Sequence, residues 1–425
     1  MKVAVPSSVS QDEEGKLDLD FFIVETNLSV NRLKKLSSAW TLNTTPNFTQ
    51  YRQKTDFLDN NINLTGNAFN LPLELTYRKD RYLKTYMGFS GTVSRTDLNL
   101  WVPRPPREDD PFYDIETSPK IRRNGQIMSH EEAAWFSVDY QLDQNWGISP
   151  GMRVFYQEAM KKAGADPRFN VQYVLSPTHK LKGAVGQYSQ APGPDQTDES
   201  FGNPDLDYKK SIHYVGGIES NWQNSWTTEV QLFHKKFFHM VKPDNEKGYN
   251  NEGGGFSRGA ELFIRRNLTS RLFGWTSYTW SINRQQDRDD LDLYPSTYDQ
   301  THVLHIVGDY RWGPTWSSGG RFLFRSGNTY TPITDSVYYT NLDKYLPRYD
   351  EQNKNSARLP LERSLSIFIN KDLLYETWTF RLRTGVEGIA LGERVSQITY
   401  NYDYSKERMI HSLAFIPYIE LRAIL

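Results

Sequence analysis

The chain has 425 residues and no cysteine. That removes disulfides, thiolate metal sites and thiol nucleophiles together, and it suits a protein that lives next to an oxidising periplasm. A dominant charge is also missing. Fifty Lys and Arg stand against 51 Asp and Glu, a balance of −1, so no global field gathers polyanions and no nucleic-acid partner is expected. Long apolar runs are absent as well. No stretch approaches the roughly 18 apolar residues that a membrane helix needs. The start MKVAVPSSVSQDEEGK carries no apolar core of a secretion signal, so if the protein is exported its signal has been removed or lies in a missing segment. Amphipathic helices are equally scarce: SHEEAAWF and YQEAMKKAGA would make one or two turns at most.

Aromatic residues are plentiful. They make up 14% of the chain (26 Tyr, 22 Phe and 11 Trp), whereas all apolar types together reach only 37%, and mean hydropathy is −0.68. Such a chain cannot fill a large dry core, but it can alternate. Trp378, Phe380, Leu382, Thr384 and Val386 alternate with Thr379, Arg381, Arg383, Gly385 and Glu387. Leu304, Ile306, Gly308, Tyr310 and Trp312 oppose Val303, His305, Val307, Asp309 and Arg311. The same two-faced pattern runs through Ala134–Leu142, Leu272–Ile282 and Phe415–Leu425. Period two with one greasy and one polar face is the signature of a half-wet antiparallel strand.

The connections carry more information. Short turns fall near Tyr77–Leu83, Leu142–Trp146, Ser176–Lys180, Trp222–Ser225, Arg266–Arg271, Gly313–Pro314 and Lys371–Glu376. Between them lie long connections at Pro103–Glu131, Glu158–Pro167, Ser189–Lys209, Lys242–Phe256, Arg284–Gln300, Ser326–Leu359 and Ala390–Ser412. A meander places alternate connections at opposite ends, so short turns gather at one rim and long loops at the other. This is the pattern of an outer-membrane barrel. A soluble sandwich mixes hairpins with Greek-key crossings and has no reason to sort loops by length. The expected fold is all-β: a transmembrane, antiparallel, up-and-down β-barrel over residues 1–425. About eighteen strands are visible, and Asn60–Arg78 reads as one long strand or two. Long loops are extracellular and short turns periplasmic. Trp378, Phe380, Leu382 and Val386 then face lipid, and Arg381, Arg383 and Glu387 face a watery lumen with Arg265, Asp309 and Arg311. Tyr310–Trp312, Trp316 and Trp275–Trp280 are expected in the interfacial aromatic girdles.

Several C-terminal segments resemble the barrel of TonB-dependent outer-membrane receptors. They are YSQAPGPDQTDESFGNPDLDYKKSIHYVGGIE (188–219), GFSRGAELFIRRNLTSRLFGWTSYTWS (255–281), YDQTHVLHIVGDYRWG (298–313) and RFLFRSGNTYTPI (321–333), followed by ARLPLERSLSIFINKDL. The resemblance lies in their order and spacing, and it is strongest over 180–425. It implies a 22-stranded barrel in the bacterial outer membrane, a plug domain inside it, and a box that engages TonB. It also implies uptake of a scarce solute such as a siderophore, cobalamin, sugar or peptide. Neither a plug-like segment nor a TonB box is read here, and the strand count is four short. The chain ends RAIL, where the family favours Phe or Trp. Two accounts stay open: a part of a receptor, or a smaller barrel without energy coupling. Partners implied are membrane lipid and lipopolysaccharide, a plug domain or plug-bearing protein, TonB through the missing N-terminal region, and a small-molecule ligand. The rival functions are a passive porin-like channel and a barrel anchoring an adhesin or assembly scaffold.

No catalytic, cofactor or metal residue is expected, and the chain is not read as an enzyme. GFSRG at 255–259 has the spacing of a nucleophile elbow around Ser257, but a two-faced strand follows it instead of a helix. Asp287, Asp289, Asp290 and Asp292 cluster without the glycine and terminal Glu of a calcium loop. His302 and His305, and His234 and His239, differ by odd numbers on strands and fall on opposite faces. Gly253–Gly255 lacks the strand–helix context of a phosphate loop. The sequons at Asn27, Asn43, Asn47, Asn63 and Asn267 arise from composition. Tyrosine-rich loops such as TYTPITDSVYYTNLDKYLPRYD suit ligand capture.

Overall fold

The computed structural model describes residues 2–6, 14–57, 60–103, 120–199, 202–222, 225–244, 247–267, 271–288, 290–340 and 344–424. Its main body is one antiparallel sheet in which each strand pairs with the next along the chain. Glu14–Ser29 and Arg32–Lys35 form one interrupted pass, as do Trp40–Thr44 and Asn47–Phe57. With these joined, the described residues give the wall eighteen passes, from Lys2–Pro6 to Ile416–Ile424. Asn60–Arg78 is a single strand that pairs with Trp40–Thr44 and Asn47–Phe57 on one side and with Leu83–Pro103 on the other. Among the described residues, Ile416–Ile424 is laddered on one side only, and Lys2–Pro6 pairs only with Glu14–Ser29.

Loop lengths sort by rim as expected, with two corrections. One rim carries connections of at most five residues, such as 79–82, 142–145, 177–178, 312–315 and 375–378. The other carries 191–208, 287–301, 326–361 and 391–415, while 104–119 of the connection expected at Pro103–Glu131 lies outside the described residues. The long connections expected at Glu158–Pro167 and Lys242–Phe256 are instead tight turns. Trp146–Gln157 pairs with Lys162–Ser176, and Trp226–Asp244 with Gly248–Arg266, almost to the hairpin tip. The second hairpin runs past the ends of its neighbours Lys209–Trp222 and Leu272–Gln286, and the ends of both are charged or glycine-rich, which hides the strand pattern there. Likewise SHEEAAWF belongs to the strand Lys120–Gln141.

Residues paired across a ladder share a face, so the register sorts the side chains. Leu373, Phe380 and Ala423 form one rung, and Ile367, Val386 and Pro417 another; between them lie Asp372, Arg381 and Arg422, then Asn370, Arg383 and Glu420. The apolar face stays open: Phe136, Leu232, Ile306, Ile367 and Ile419 are all exposed, while the described residues bury only a handful of apolar side chains. Soluble monomers rarely leave so many large apolar side chains uncovered. Aromatic pairs mark the short-turn rim, at Trp40–Tyr77, Trp146–Tyr173 and Tyr375–Trp378, with ring centroids 4.6, 4.7 and 5.1 Å apart. Trp275 departs from the expected girdle. It shares the polar face with Arg265 and Val307, and its ring lies against Phe263 and His305.

On the polar face, rings lie over glycines of the adjoining strand. A Cβ added at Gly88 would come within 2.0 Å of Trp135, one at Gly164 within 2.3 Å of Phe155, and one at Gly319 within 2.6 Å of Phe368. Two of these rings carry a cation: Arg153 over Phe155 and Arg383 over Phe368, at 4.9 and 4.4 Å. Each glycine seats a ring flat on the wall and keeps it ordered without a core. Gly88→Ala is therefore expected to cost roughly 1–3 kcal/mol by overpacking, read as a lower unfolding temperature in detergent. Adding Trp135→Ala should relieve that loss; equal damage in both backgrounds would contradict the packing.

Candidate functional site: the long-loop rim

The long loops are tied to one another. Asp287, the first residue after Leu272–Gln286, faces Lys242 at 3.2 Å and Lys354 at 2.9 Å, and Tyr294 donates its hydroxyl to it at 2.5 Å. Those partners come from a wall strand and two different loops. Burial pushes this carboxyl up, but the hydrogen bonds from Tyr294 and Lys354 and the charges of Lys242 and Lys354 outweigh it and hold it below 3.8. A second tie is built on buried Asp299, which accepts from the Asn283 amide at 3.0 Å and pairs with Arg358 at 2.9 Å. Asn355, with φ 53, donates to the Pro295 carbonyl at 2.9 Å, while its own amide donates to Thr331 at 3.0 Å. Asn is among the few residues that adopt this backbone at little cost.

Two hairpins lean together above these ties, Ile333–Tyr339 with Lys344–Tyr349 and Val395–Tyr400 with Glu407–His411. The Ile333 amide donates to the Tyr400 hydroxyl and Ser336 to the Asp403 carbonyl. Tyr338, Tyr345 and Tyr402 form a continuous ring contact. Burial, with the nearby Glu407, pushes the Tyr400 hydroxyl up to about 12, so it stays a neutral donor and acceptor at neutral pH. On the far side, loop 191–208 packs onto the polar face. Its buried Tyr208 meets Phe155 edge-on at 4.8 Å, and Lys162 donates to the carbonyls of Asp205 and Leu206. Arg123 pairs with Asp198 at 3.3 Å. The rim is a cross-braced, tyrosine-rich platform over a polar wall.

The residues singled out from sequence scatter. Ser257 is in mid-strand, laddered on both sides to Lys235 and Asn283. Asp287 is engaged by lysines, Asp290 pairs with Arg288 at 3.1 Å, and Asp289 lies outside the described residues. His302 meets Tyr278, whereas His305 lies against Trp275 on the other face. The parity argument for His239 fails in its reason: a bulge places Phe237 opposite Gly255 and Met240 opposite Gly253, so alternation breaks there. His234 still contacts Phe256 and Tyr214, and His239 contacts Phe238. Gly253–Gly255 lines that bulge, and a Cβ at Gly255 would press within 2.3 Å of the Arg284 carbonyl. The Asn27 and Asn47 side chains bond each other across the ladder. The polar-face charges pair: Arg381 with Asp372 at 2.6 Å, and Arg422 with Glu420 at 2.7 Å. Lys242, Asp299, Lys354 and Arg358 were not legible, because their partners come from segments 45 to 67 residues away.

Fold and rim together define the wall of an up-and-down antiparallel β-barrel of the outer-membrane type. The family model for the TonB dependent receptor-like β-barrel matches residues 11–405, and the chain belongs to that family. A search of curated proteins found no match. Among solved structures, the fold is similar to that of the ferric-catecholate import receptor Fiu from K12 E. coli. The TM-score is 0.60 at 11% identity, covering 96% of this chain and 64% of that one. The siderophore receptor PiuA from Acinetobacter baumannii gives 0.60 at 11%, covering 100% and 68%. The ferric citrate transporter FecA gives 0.62 at 14%, covering 95% and 62%. The chain thus spans about two thirds of the length of these proteins.

The Asp287 tie has a sign in pH. A depressed carboxyl contributes stability that is fully present above its ordinary value and lost as pH falls through the depressed one. The loops are therefore expected to stay tied at neutral pH and to loosen only below 3.8. Asp287→Asn should raise protease cleavage within 326–361 roughly tenfold at neutral pH, a change of about 1.4 kcal/mol in local opening. Unchanged cleavage would contradict the tie.

Proposed function

We propose that this chain is the wall and outer rim of an outer-membrane receptor that captures a scarce solute at the long-loop platform and passes it through the polar interior. The bacterial outer membrane is its site, with lipid and lipopolysaccharide against the apolar face. Passage depends on a plug domain and TonB, as in the receptor family. The observation that carries this reading is the sorting of the rims. One end is held by tight turns and aromatic pairs, while the other carries long loops braced through Asp287, Asp299 and Tyr400. A passive pore needs no such cross-braced platform, and the wall chemistry alone gives no reason to build one.

Family membership and the receptors of similar fold support uptake over catalysis.

The test is uptake by cells that carry the protein with its plug, against a variant in which 326–361 is replaced by a short Gly-Ser turn. Uptake of one solute from a panel of ferric chelates, cobalamin, oligosaccharides and peptides should fall at least roughly tenfold in the variant while the wall still folds. Equal uptake in both, or steady conductance in a planar bilayer with no saturable solute, would contradict the receptor reading.

A further inference from the structure

On the polar face, one rung runs Arg168, Gly186, His213, Lys235, Ser257 and Asn283 across six strands. Two cations and an imidazole therefore share a level of the wall. Gly186 leaves a gap, and the Tyr188 ring fills it from the rung above; a Cβ there would lie 3.3 Å from the Tyr188 hydroxyl. Tyr188 stacks on His213 at 4.4 Å and 30°, and the Arg168 guanidinium lies 4.5 Å over the same ring. Lys235 lies 5.0 Å over Phe233. The two cations are thus each held against an aromatic ring. Arg168 and Tyr188 are exposed, and His213 and Lys235 half-buried. Beside Arg168 the wall forms a hollow of about 570 Å³, also lined by Ser137, Asp139, Ser149 and Arg153.

Elsewhere the wall neutralises many of its cations. Lys182, two rungs away, bonds both Glu219 and Glu229, and Arg325 pairs with Glu362 at 2.5 Å. On the basic rung, no carboxylate of the described residues pairs with Arg168 or Lys235. The carboxylate one rung up, Asp166, is buried and engaged by Ser189, whose amide and hydroxyl donate to it at 3.1 and 2.8 Å. Two positive charges held on aromatic rings, neither paired with a carboxylate of the described residues, form a preorganised oxyanion site. Arg168 and Lys235 stand three strand spacings apart, roughly 14 Å at the backbone, and two long side chains close that span around a solute with more than one anionic group.

We infer that Arg168, His213 and Lys235, with Tyr188 as the shelf, bind a small multiply charged oxyanion, a polycarboxylate or a phosphate-bearing solute, on its way through the interior. The inference rests on the receptor reading, because it names the class of solute which that interior takes. The test is titration calorimetry on the full chain in detergent with citrate and with inorganic phosphate as separate probes, at low salt. Saturable binding of either probe should weaken roughly tenfold or more in Arg168→Gln and in Lys235→Gln. It should stay unchanged in Lys236→Gln, on the opposite face of the same strand, and fade as salt is raised. Which probe binds tells carboxylate from phosphate. Retained heat-modifiable mobility on gels checks that each variant is folded. No saturable binding of either probe, equal binding in the rung variants, or stronger capture of an acidic peptide at this rung would overturn the inference. Solute uptake that survives in the double variant sinks the rung and leaves the receptor reading standing; binding at the rung without uptake of any solute does the reverse.

Discussion

The structure depends on one constraint: every backbone amide and carbonyl at membrane depth needs a partner, because hydrocarbon supplies none. The unbroken run of antiparallel ladders from Lys2–Pro6 to Ile416–Ile424 meets it strand by strand. It also explains why the chain does without a large core. Stability comes from cross-strand pairing and from rings seated on glycines, as at Gly88 with Trp135, and the apolar face is left for lipid. The outer edges of Ile416–Ile424 and of the opening hairpin, unpaired among the described residues, are where the same rule demands further backbone partners.

The two rims divide the labour. At the short-turn rim, side chains close tight bends: Asp80 accepts from the amides of Tyr82 and Leu83, and Asp143 from those of Asn145 and Trp146. These bonds hold the Asp143 carboxyl below its ordinary range. Such turns fix register and leave little room to move. At the opposite rim the chain is given length, and that length is ordered by ties between loops. Lys242, Asp287 and Lys354 join three segments through one carboxylate. A platform ordered in this way presents its tyrosines at low conformational cost.

Much of the wall was legible in the sequence because lipid and water impose opposite demands on alternate residues. The facing sets around Phe380–Arg383 and Leu304–Arg311 hold in the register. Legibility stopped where that double demand stops. Above the wall, GYNNEGGG continues a strand with no apolar face to betray it, and the bulge at Phe237–Met240 resets the alternation around His239. Trp275 looked like a girdle residue by type but sits on the polar face. The rim ties of Asp287 and Asp299, and the basic rung of Arg168 and Lys235, are products of topology. They join residues distant in sequence, and no local period announces them.

The central claim is that the apolar face meets hydrocarbon and the charged face meets water. A chain with no cysteine allows a direct measurement, since single cysteines placed from Thr379 to Glu387 each carry one nitroxide label. In lipid vesicles, labels at Phe380, Leu382 and Val386 should collide with dissolved oxygen and be shielded from an aqueous nickel chelate. Labels at Arg381, Arg383 and Glu387 should do the opposite, giving an accessibility that alternates with period two. Equal access of the nickel chelate to both sets, or the reverse alternation, would contradict the account.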